Sequence, residues 1–328
     1  KELTQKDIEE IILTGSEWAV KNLDFKKEEI ISIENQGNFF KNSGLSKKEI
    51  FSAIPPIAIK SLKKDLGVLG GGNHFLELQR IKKIWNKKFV KKFGLDKSKY
   101  FFMLHTDSGR FGGLIASIYS NAFGRNLFSK LKIGLYQLYF FKNFLLGKRY
   151  LDISSNIGKK FLIANSAAMN VGYVNRLIIL SYLKKQMKGK IKLIRDLSHS
   201  SQQVEKEKLV YRIGATKSIK NTLLMIPGSM GTSSFICVSN GGPNNLYSAN
   251  HGAGRKIYQE EIANKFSKKD LEEIIRKNNL HIFRCGNTNL LEQIPLSYKN
   301  SDEVIKDMSK HKIGFPLIET FPIAVLKG

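Results

Sequence analysis

Two stretches of this chain couple a glycine cluster to a short apolar run, and they restrict the fold more than any other feature. LGVLGGGNHFLEL, residues 66–78, and LLMIPGSMGTSSFICV, residues 223–238, read as strands joined by tight loops in which main chain is exposed. Gly70, Gly71 and Gly72 permit backbone angles and close approach that a Cβ would block, which suits a loop cradling a phosphate or a metal. Helix starts are interspersed with these runs. Thr4 with Asp7 precedes Ile8, Ile11 and Ile12 at helical spacing, Ser46 stands before Glu49, and Ser267 with Asp270 precedes Leu271, Ile274 and Ile275; each pattern predicts a capped helix. With no repeat and no low-complexity linker, the expectation is an α+β protein, one large domain over residues 1–328 with mixed sheets flanked by helices.

Lys and Arg number 54 against 28 Asp and Glu, a net charge of +26, and such an excess attracts polyanions. RNA, DNA and an anionic membrane all satisfy it, and so does a merely solvated lysine-rich surface. Residues 80–100 interleave basic pairs with Trp85, Phe89, Phe93 and Tyr100. A core-facing aromatic stripe is the first expectation there, ahead of a base-stacking platform. Cys237 and Cys285 form no CxxC pattern and are too few for a disulfide framework, which fits a reducing cytosol. The most apolar runs, residues 135–141 and 177–183, end against Lys142 and Lys184, short of the about 18 residues of a membrane span. No signal peptide opens the chain. The expectation is a cytoplasmic, soluble protein without a membrane partner and, because it begins at Lys1, a fragment.

Three segments carry chemistry. In the first, Asn73, His74 and Glu77 follow the glycines and supply an amide, an imidazole and a carboxylate; a lone histidine in such a place also serves as a hydrogen-bonded structural residue. The segment is neither a GK[ST] phosphate loop nor a GxGxxG dinucleotide fingerprint. In PGSMGTSS, residues 227–234, small residues expose N–H groups and hydroxyls that suit phosphate or ribose oxygens, or equally a hairpin turn. In NHGAGR, residues 250–255, His251 precedes two glycines and Arg255, an arrangement suited to a nucleophilic or acid–base histidine acting on a phosphate.

Together these segments resemble the RtcB RNA ligase family, and the resemblance runs along the whole chain in the family's order. GSEWAV (residues 15–20) is similar to the family's GAEWAV. GGGNHF with Glu77, a His-Thr pair at His105, Asn175-Arg176, DLSHS with His199, YRIGATK (211–217), IPGSMGTSS, HGAGR, LEQIPLSYKN (291–300) and a terminal VLKG follow. The resemblance implies an RtcB-like fold around a central metal and nucleotide pocket. It implies that His251 attacks the α-phosphate of GTP and carries GMP covalently, and that His74, His105 and His199 bind manganese. Asn73, Phe75, Glu77, Ser229, Ser234, Tyr298 and Lys327 are implied to hold the guanine nucleotide, with Pro227, Gly228, Gly252 and Gly254 in the loops around it. Glu77 would accept from the guanine N1 and N2 hydrogens and a lysine would donate to its O6 or N7. The implied partners are RNA, such as tRNA halves, GTP, and an archease-like activator.

The match departs from the family in four places. The family's N-terminal Asp and Cys, in a D-V-G-C-G context, have no counterpart, so the chain reads as a C-terminal part. Arg110 is displaced by one position after His105, Ser200 stands for an asparagine, and Ile213 takes the lysine position of YRKGAT. A degenerate relative that binds guanine nucleotide or RNA without ligating, and a structural or basic RNA-binding protein whose histidines are core residues, are the alternative readings.

Overall fold

The computed structural model describes residues 3–95, 98–119, 151–188, 190–205 and 207–328. The apolar run 135–141 lies outside the described residues, as does part of the 80–100 segment. The chain divides into two compact units, Lys1–Val68 with Asp107–Leu209 and Leu69–Thr106 with Val210–Gly328.

The first unit is mainly helical. Helices α1 (Gln5–Thr14) and α4 (Lys47–Ala53) start on the capping boxes that the sequence predicts, Thr4 with Asp7 and Ser46 with Glu49. Between them run α2 (Ser16–Asn22) and α3 (Lys27–Ile30), and α5 (Pro56–Asp65) and α7 (Arg110–Tyr119) follow. The 31-residue helix α8 (Asn156–Gln186) is the axis of the unit. Ala164, Ala167, Val171, Tyr173, Val174 and Leu177 are all sealed within it. A helix buried on most sides needs neighbours around it, and α1, α2, α4 and α7 supply them. The apolar run 177–183 is thus core helix; among the described residues no helix is long and apolar enough to cross a membrane. Gly15, between α1 and α2, has a φ of +52°, and a Cβ there would lie 2.0 Å from the Gly37 carbonyl oxygen, so this turn admits only glycine. The unit also contains β3 (Ser200–Glu205).

The second unit is built on a six-stranded sheet in the order β2 (Tyr100–His105), β1 (Phe75–Ile84), β10 (Gly314–Lys327), β7 (Ser234–Ser239), β6 (Leu223–Ile226), with β9 (His281–Arg284) against β10. All pairings are antiparallel except β9 with β10, so the expected mixed sheet is present. The strand β4 (Lys208–Ile213) leads into β5 (Ala215–Lys217), which pairs with β8 (Ser248–Asn250). Helices α6 (Lys87–Lys92), α9 (Ile262–Lys265), α10 (Lys268–Lys277) and α11 (Ser301–Lys310) complete the unit, and α10 starts on the predicted Ser267–Asp270 capping box. Both units together give the α+β class.

Among the described residues, Trp85 and Tyr100 do not join the core-facing aromatic stripe expected over residues 80–100. Trp85 is 41% and Tyr100 64% exposed, whereas Val90 and Leu95 point inward. The physical reason is a change of period: β1 ends at Ile84 and α6 begins at Lys87, so no single helical or strand repeat aligns the rings on one inner face.

Candidate nucleotide and metal site

Strand β1 begins at Phe75, directly after the glycine loop. Gly70 has a φ of +82°, and a Cβ there would lie 2.6 Å from His74 Nδ1, so the glycine makes room for the imidazole. On β1, Phe75 is opposite His105 of β2 on one side and Lys327 of β10 on the other. Residues directly opposite each other share a face of the sheet. The Phe75 and His105 rings stack at 5.4 Å and 12°, and Lys327 Nζ lies 5.4 Å from the Phe75 ring centre. His74 and His105 stand 5.7 Å apart, and His105 and His251 6.0 Å. Lys327 also donates to the Asn73 carbonyl at 3.4 Å. Five sequence-predicted side chains, those of His74, Phe75, His105, His251 and Lys327, are thus linked by ring and cation contacts within the second unit.

Period-two alternation carries the same face onward to Glu77 and Gln79, both buried. Gln79 is a residue that the motif reading misses, although its position two beyond Glu77 signals it. Its amide donates to Glu77 Oε2 at 2.6 Å and to Ser234 Oγ at 3.2 Å, while its oxygen accepts from Thr320 Oγ1 at 2.6 Å. Ser234 Oγ in turn accepts from the Gly228 N–H at 3.0 Å, and the Ser229 N–H donates to Thr232 Oγ1 at 2.7 Å. The loop at 227–234 is therefore locked to the strand bearing Glu77. Burial pushes the Glu77 carboxyl up to about 7, against the Gln79 bond and the attraction of Lys327. Burial likewise brings the Lys327 ammonium down to about 8, opposed by Glu77. Each is the other's counter-ion in a low-dielectric place.

His251 directly follows β8. The register of β5 with β8, Ala215 opposite Asn250, sets its imidazole against the residue before β5, and Nδ1 donates to the Gly214 carbonyl at 2.7 Å. Burial lowers its pKa from the ordinary histidine value, partly offset by that bond. The Ala253 N–H donates to the Pro227 carbonyl at 2.9 Å, and a Cβ on Gly252 would come within 3.1 Å of the same oxygen, so the HGAGR and PGSMGTSS loops abut. Arg255, the cation that follows His251 in the motif, is engaged within the protein. Its guanidinium donates to the Glu292 carbonyl and to Gln293 Oε1, both at 2.9 Å, and lies 4.7 Å over the Tyr298 ring. Tyr298 donates its hydroxyl to Gln293 Oε1 at 2.8 Å, so Arg255 covers one stacking face of the tyrosine that the resemblance gives to guanine. The exposed Ile213 side chain supplies no cation at the position where the family has lysine.

His199 belongs to the first unit, in a loop clamped on both sides. The Ser198 N–H donates to Glu34 Oε2 at 3.0 Å, and Arg176 Nε donates to both Asp196 oxygens at 2.8 and 3.0 Å. Glu34 also accepts from Tyr173 and Gln203 at 3.3 and 2.8 Å. Asn175 holds Gly67 N–H at 2.7 Å and the Asp107 carbonyl at 2.9 Å, and Arg110 pairs with Asp65 at 3.7 Å.

Among the described residues no group of three or more His, Cys, Asp or Glu side chains closes around one point. The adjacent His74 and His105 nonetheless fit part of a metal's donor set. Neutral imidazoles suit a first-row divalent ion, and rings 5.7 Å apart are compatible with two nitrogens each about 2.0–2.2 Å from one ion.

The comparison with known proteins assigns a family to the chain as a whole. The family model described as tRNA-splicing ligase RtcB matches residues 1–328. A tRNA-splicing ligase RtcB of Nanoarchaeum equitans is 27% identical, over 99% of this chain and 71% of that protein. The one of Pyrobaculum aerophilum is likewise 27% identical over 99% and 71%. The one of Methanopyrus kandleri is 25% identical over 99% of this chain but 37% of its own length. The chain therefore spans a little over a third to about seven-tenths of these relatives. A match over every residue, with the motifs in order, shows that this chain belongs to the RtcB family of tRNA-splicing ligases.

Proposed function

We propose that this chain is the guanylate-carrying part of a GTP- and manganese-dependent RNA ligase. It joins an RNA 3′-phosphate or 2′,3′-cyclic phosphate end to a 5′-hydroxyl end, in tRNA splicing or RNA repair, with RNA and an archease-like activator as partners. The observation that carries this reading is the placement of His251. With Nδ1 donating to Gly214, the neutral ring has its lone pair on Nε2, the nitrogen suited to attack phosphorus.

In this reading Nε2 forms a bond to the α-phosphorus of GTP as the bond to the pyrophosphate oxygen breaks. An oxygen of the RNA 3′-phosphate then takes the guanylate from His251, and the RNA 5′-hydroxyl displaces GMP as the phosphodiester closes. A 2′,3′-cyclic phosphate is first opened by water. His74, His105 and His199 would hold manganese, which when bound supplies neutralising charge to the triphosphate and the departing pyrophosphate. Glu77 and Lys327 fix the purine edge, because an ionised carboxylate accepts from guanine N1 and N2 hydrogens and an ammonium donates to O6 or N7, a pairing adenine cannot reproduce. Phe75 and Tyr298 offer ring faces, Asn73 lies by the phosphate and metal, and the main chain of Pro227, Gly228, Ser229, Ser234, Gly252 and Gly254 lines the nucleotide.

The test is incubation with α-labelled GTP and manganese. Covalent, acid-labile label is expected, as for a phosphoramidate, and ligation of a 3′-phosphate RNA should follow. The second reading, a relative that binds guanine nucleotide or RNA without sealing, draws on Arg255 and Arg110 being engaged within the protein. It would give nucleotide binding with no covalent label.

A further inference from the structure

The thirteen residues from Arg80 to Lys92 contain seven cations and no carboxylate, and all seven cations are exposed. Lys82 pairs with Glu319 at 2.6 Å. Within this basic surface stand the two exposed aromatic rings that the sequence expectation had turned inward, Trp85 and Tyr100. Both stand on hydrogen-bonded main chain. The Trp85 backbone N–H donates to the Leu317 carbonyl at 2.9 Å, and its indole packs on Phe235 at 5.9 Å. Tyr100 is paired across β1 and β2 with Arg80. Lys83 Nζ lies 4.6 Å from the Trp85 ring centre, so a cation is already beside the ring.

We propose that this surface is a strand-tracking platform for single-stranded RNA, with Trp85 and Tyr100 taking bases and the flanking cations taking phosphates. A solvated lysine face needs no exposed tryptophan, and an acidic protein segment has no use for ring faces alternating with charges; a single nucleic-acid strand presents a flat base and an anion in every unit. The placement adds a direction. At about 3.3 Å per strand residue, β1 carries the chain about 30 Å from Phe75, beside the candidate pocket, to Ile84 next to Trp85. The platform therefore meets the substrate well upstream or downstream of its reacting end. The inference rests on the reading of the protein as an RNA ligase for the identity of its polyanion, and is separable from it by experiment.

Trp18, the other tryptophan, is 3% exposed, so binding at the platform is read by Trp85 emission in the full chain. A fluorescein-labelled 16-nucleotide single strand should quench that emission and bind with an anisotropy signal. The Trp85→Ala/Tyr100→Ala variant should bind it about tenfold or more weakly. Trp85→Phe/Tyr100→Phe, which keeps both rings, should retain most of the affinity, which separates lost stacking from lost folding. Covalent labelling by GTP should be unchanged in both variants. Equal affinity of parent and double-alanine variant for the 16-mer would overturn the platform, as would polyglutamate quenching Trp85 at the same concentration, which would mark an acidic-protein surface. Failure of GTP labelling in the parent, with ring-dependent RNA binding intact, would sink the ligase reading and leave the platform standing.

Discussion

The Nδ1 of His251 lies 2.7 Å from the carbonyl oxygen of Gly214. A carbonyl only accepts, so Nδ1 carries the proton and the neutral ring directs its lone pair through Nε2. Thirty-seven residues separate the pair in sequence, and the short β5–β8 ladder brings them together. The bond fixes a tautomer as well as an orientation, the two properties an imidazole needs to act as a nucleophile at one nitrogen.

His251→Ala should reduce covalent GMP labelling to background while leaving manganese affinity within about twofold, since the residue has no metal role in the proposal. The rate should also depend on pH in a set direction. Burial lowers the His251 pKa below the ordinary 6.5, and the neutral ring is the reactive form. Labelling attributable to this group should be level above pH 6.5 and fall as pH drops through the lowered pKa. Single-turnover labelling across pH checks it; a rate that rises on acidification, or an alanine variant that labels like the parent, would remove the assignment.

The pair Glu77 and Lys327 predicts how base selection responds to pH. Glu77 is raised to about 7 and Lys327 lowered to about 8, so the two opposite charges no longer coexist on the acid side, where Glu77 protonates, or on the basic side, where Lys327 deprotonates. Preference for GTP over ATP should peak between those values and weaken on both sides. Glu77→Gln should remove the acid limb and Lys327→Met the basic limb, each lowering the preference by about ten- to hundredfold. Competition binding of the two nucleotides from pH 6 to 9 reads this directly, and a preference that is flat over that range would contradict it.

Much of this arrangement can be read from the sequence, and the limits are physical. The capped starts of α1, α4 and α10 were legible because a capping box is a local signal four residues long. Phe75, Glu77 and His105 were found as motif residues; strand alternation puts the first two on one face, but bringing His105 and Lys327 to it depends on the register of β1 with β2 and β10, which no local pattern specifies. Gln79 was passed over because an amide announces no chemistry; its three contacts with Glu77, Ser234 and Thr320 become visible only in three dimensions. Arg255 stands four positions after His251 in sequence, yet its guanidinium is engaged by the Glu292 carbonyl, Gln293 and the Tyr298 ring, partners that only the fold reveals. Trp85 and Tyr100 were misassigned to the core because a strand-to-helix change at residues 84–87 breaks the period on which the inward reading relied.

Metal binding provides a test that spans the chain. His74 and His105 stand side by side in the second unit, and His199 belongs to the first. Alanine at His74 or His105 should each weaken manganese binding by about tenfold or more, and His199→Ala should do so too if all three serve one centre. Calorimetric titration with manganese, in the absence of nucleotide, measures this without recourse to activity. Parental affinity in His199→Ala, with loss in the other two, would confine the metal to the His74–His105 pair and remove His199 from the ligand set.

The loop that presents His199 should be among the most mutation-sensitive parts of the first unit, for reasons independent of any metal. Arg176 and Asp196 are paired through two hydrogen bonds with side chains only 11% and 8% exposed. Burial raises the Asp196 pKa, and Arg176 is the main influence opposing it. Removing one partner of such a pair leaves the other charged and buried, which costs about 3–5 kcal/mol, far above the worth of a surface pair. Arg176→Met should therefore lower stability to urea by that order, whereas Arg176→Met/Asp196→Asn should recover a large share, because no buried charge is then left alone. The pH dependence follows from the same cause. Without Arg176 the folded-state pKa of Asp196 rises further above the ordinary 3.8, so between those values the folded state holds a proton that the unfolded state lacks. Stability of the single variant should then fall as pH rises through that window, and its deficit against the parent should narrow on acidification from pH 7 toward pH 5. A deficit of the same size at both pH values, or no recovery in the double variant, would show that Arg176 acts by packing against Tyr173, 4.9 Å from its guanidinium, and not by neutralising Asp196.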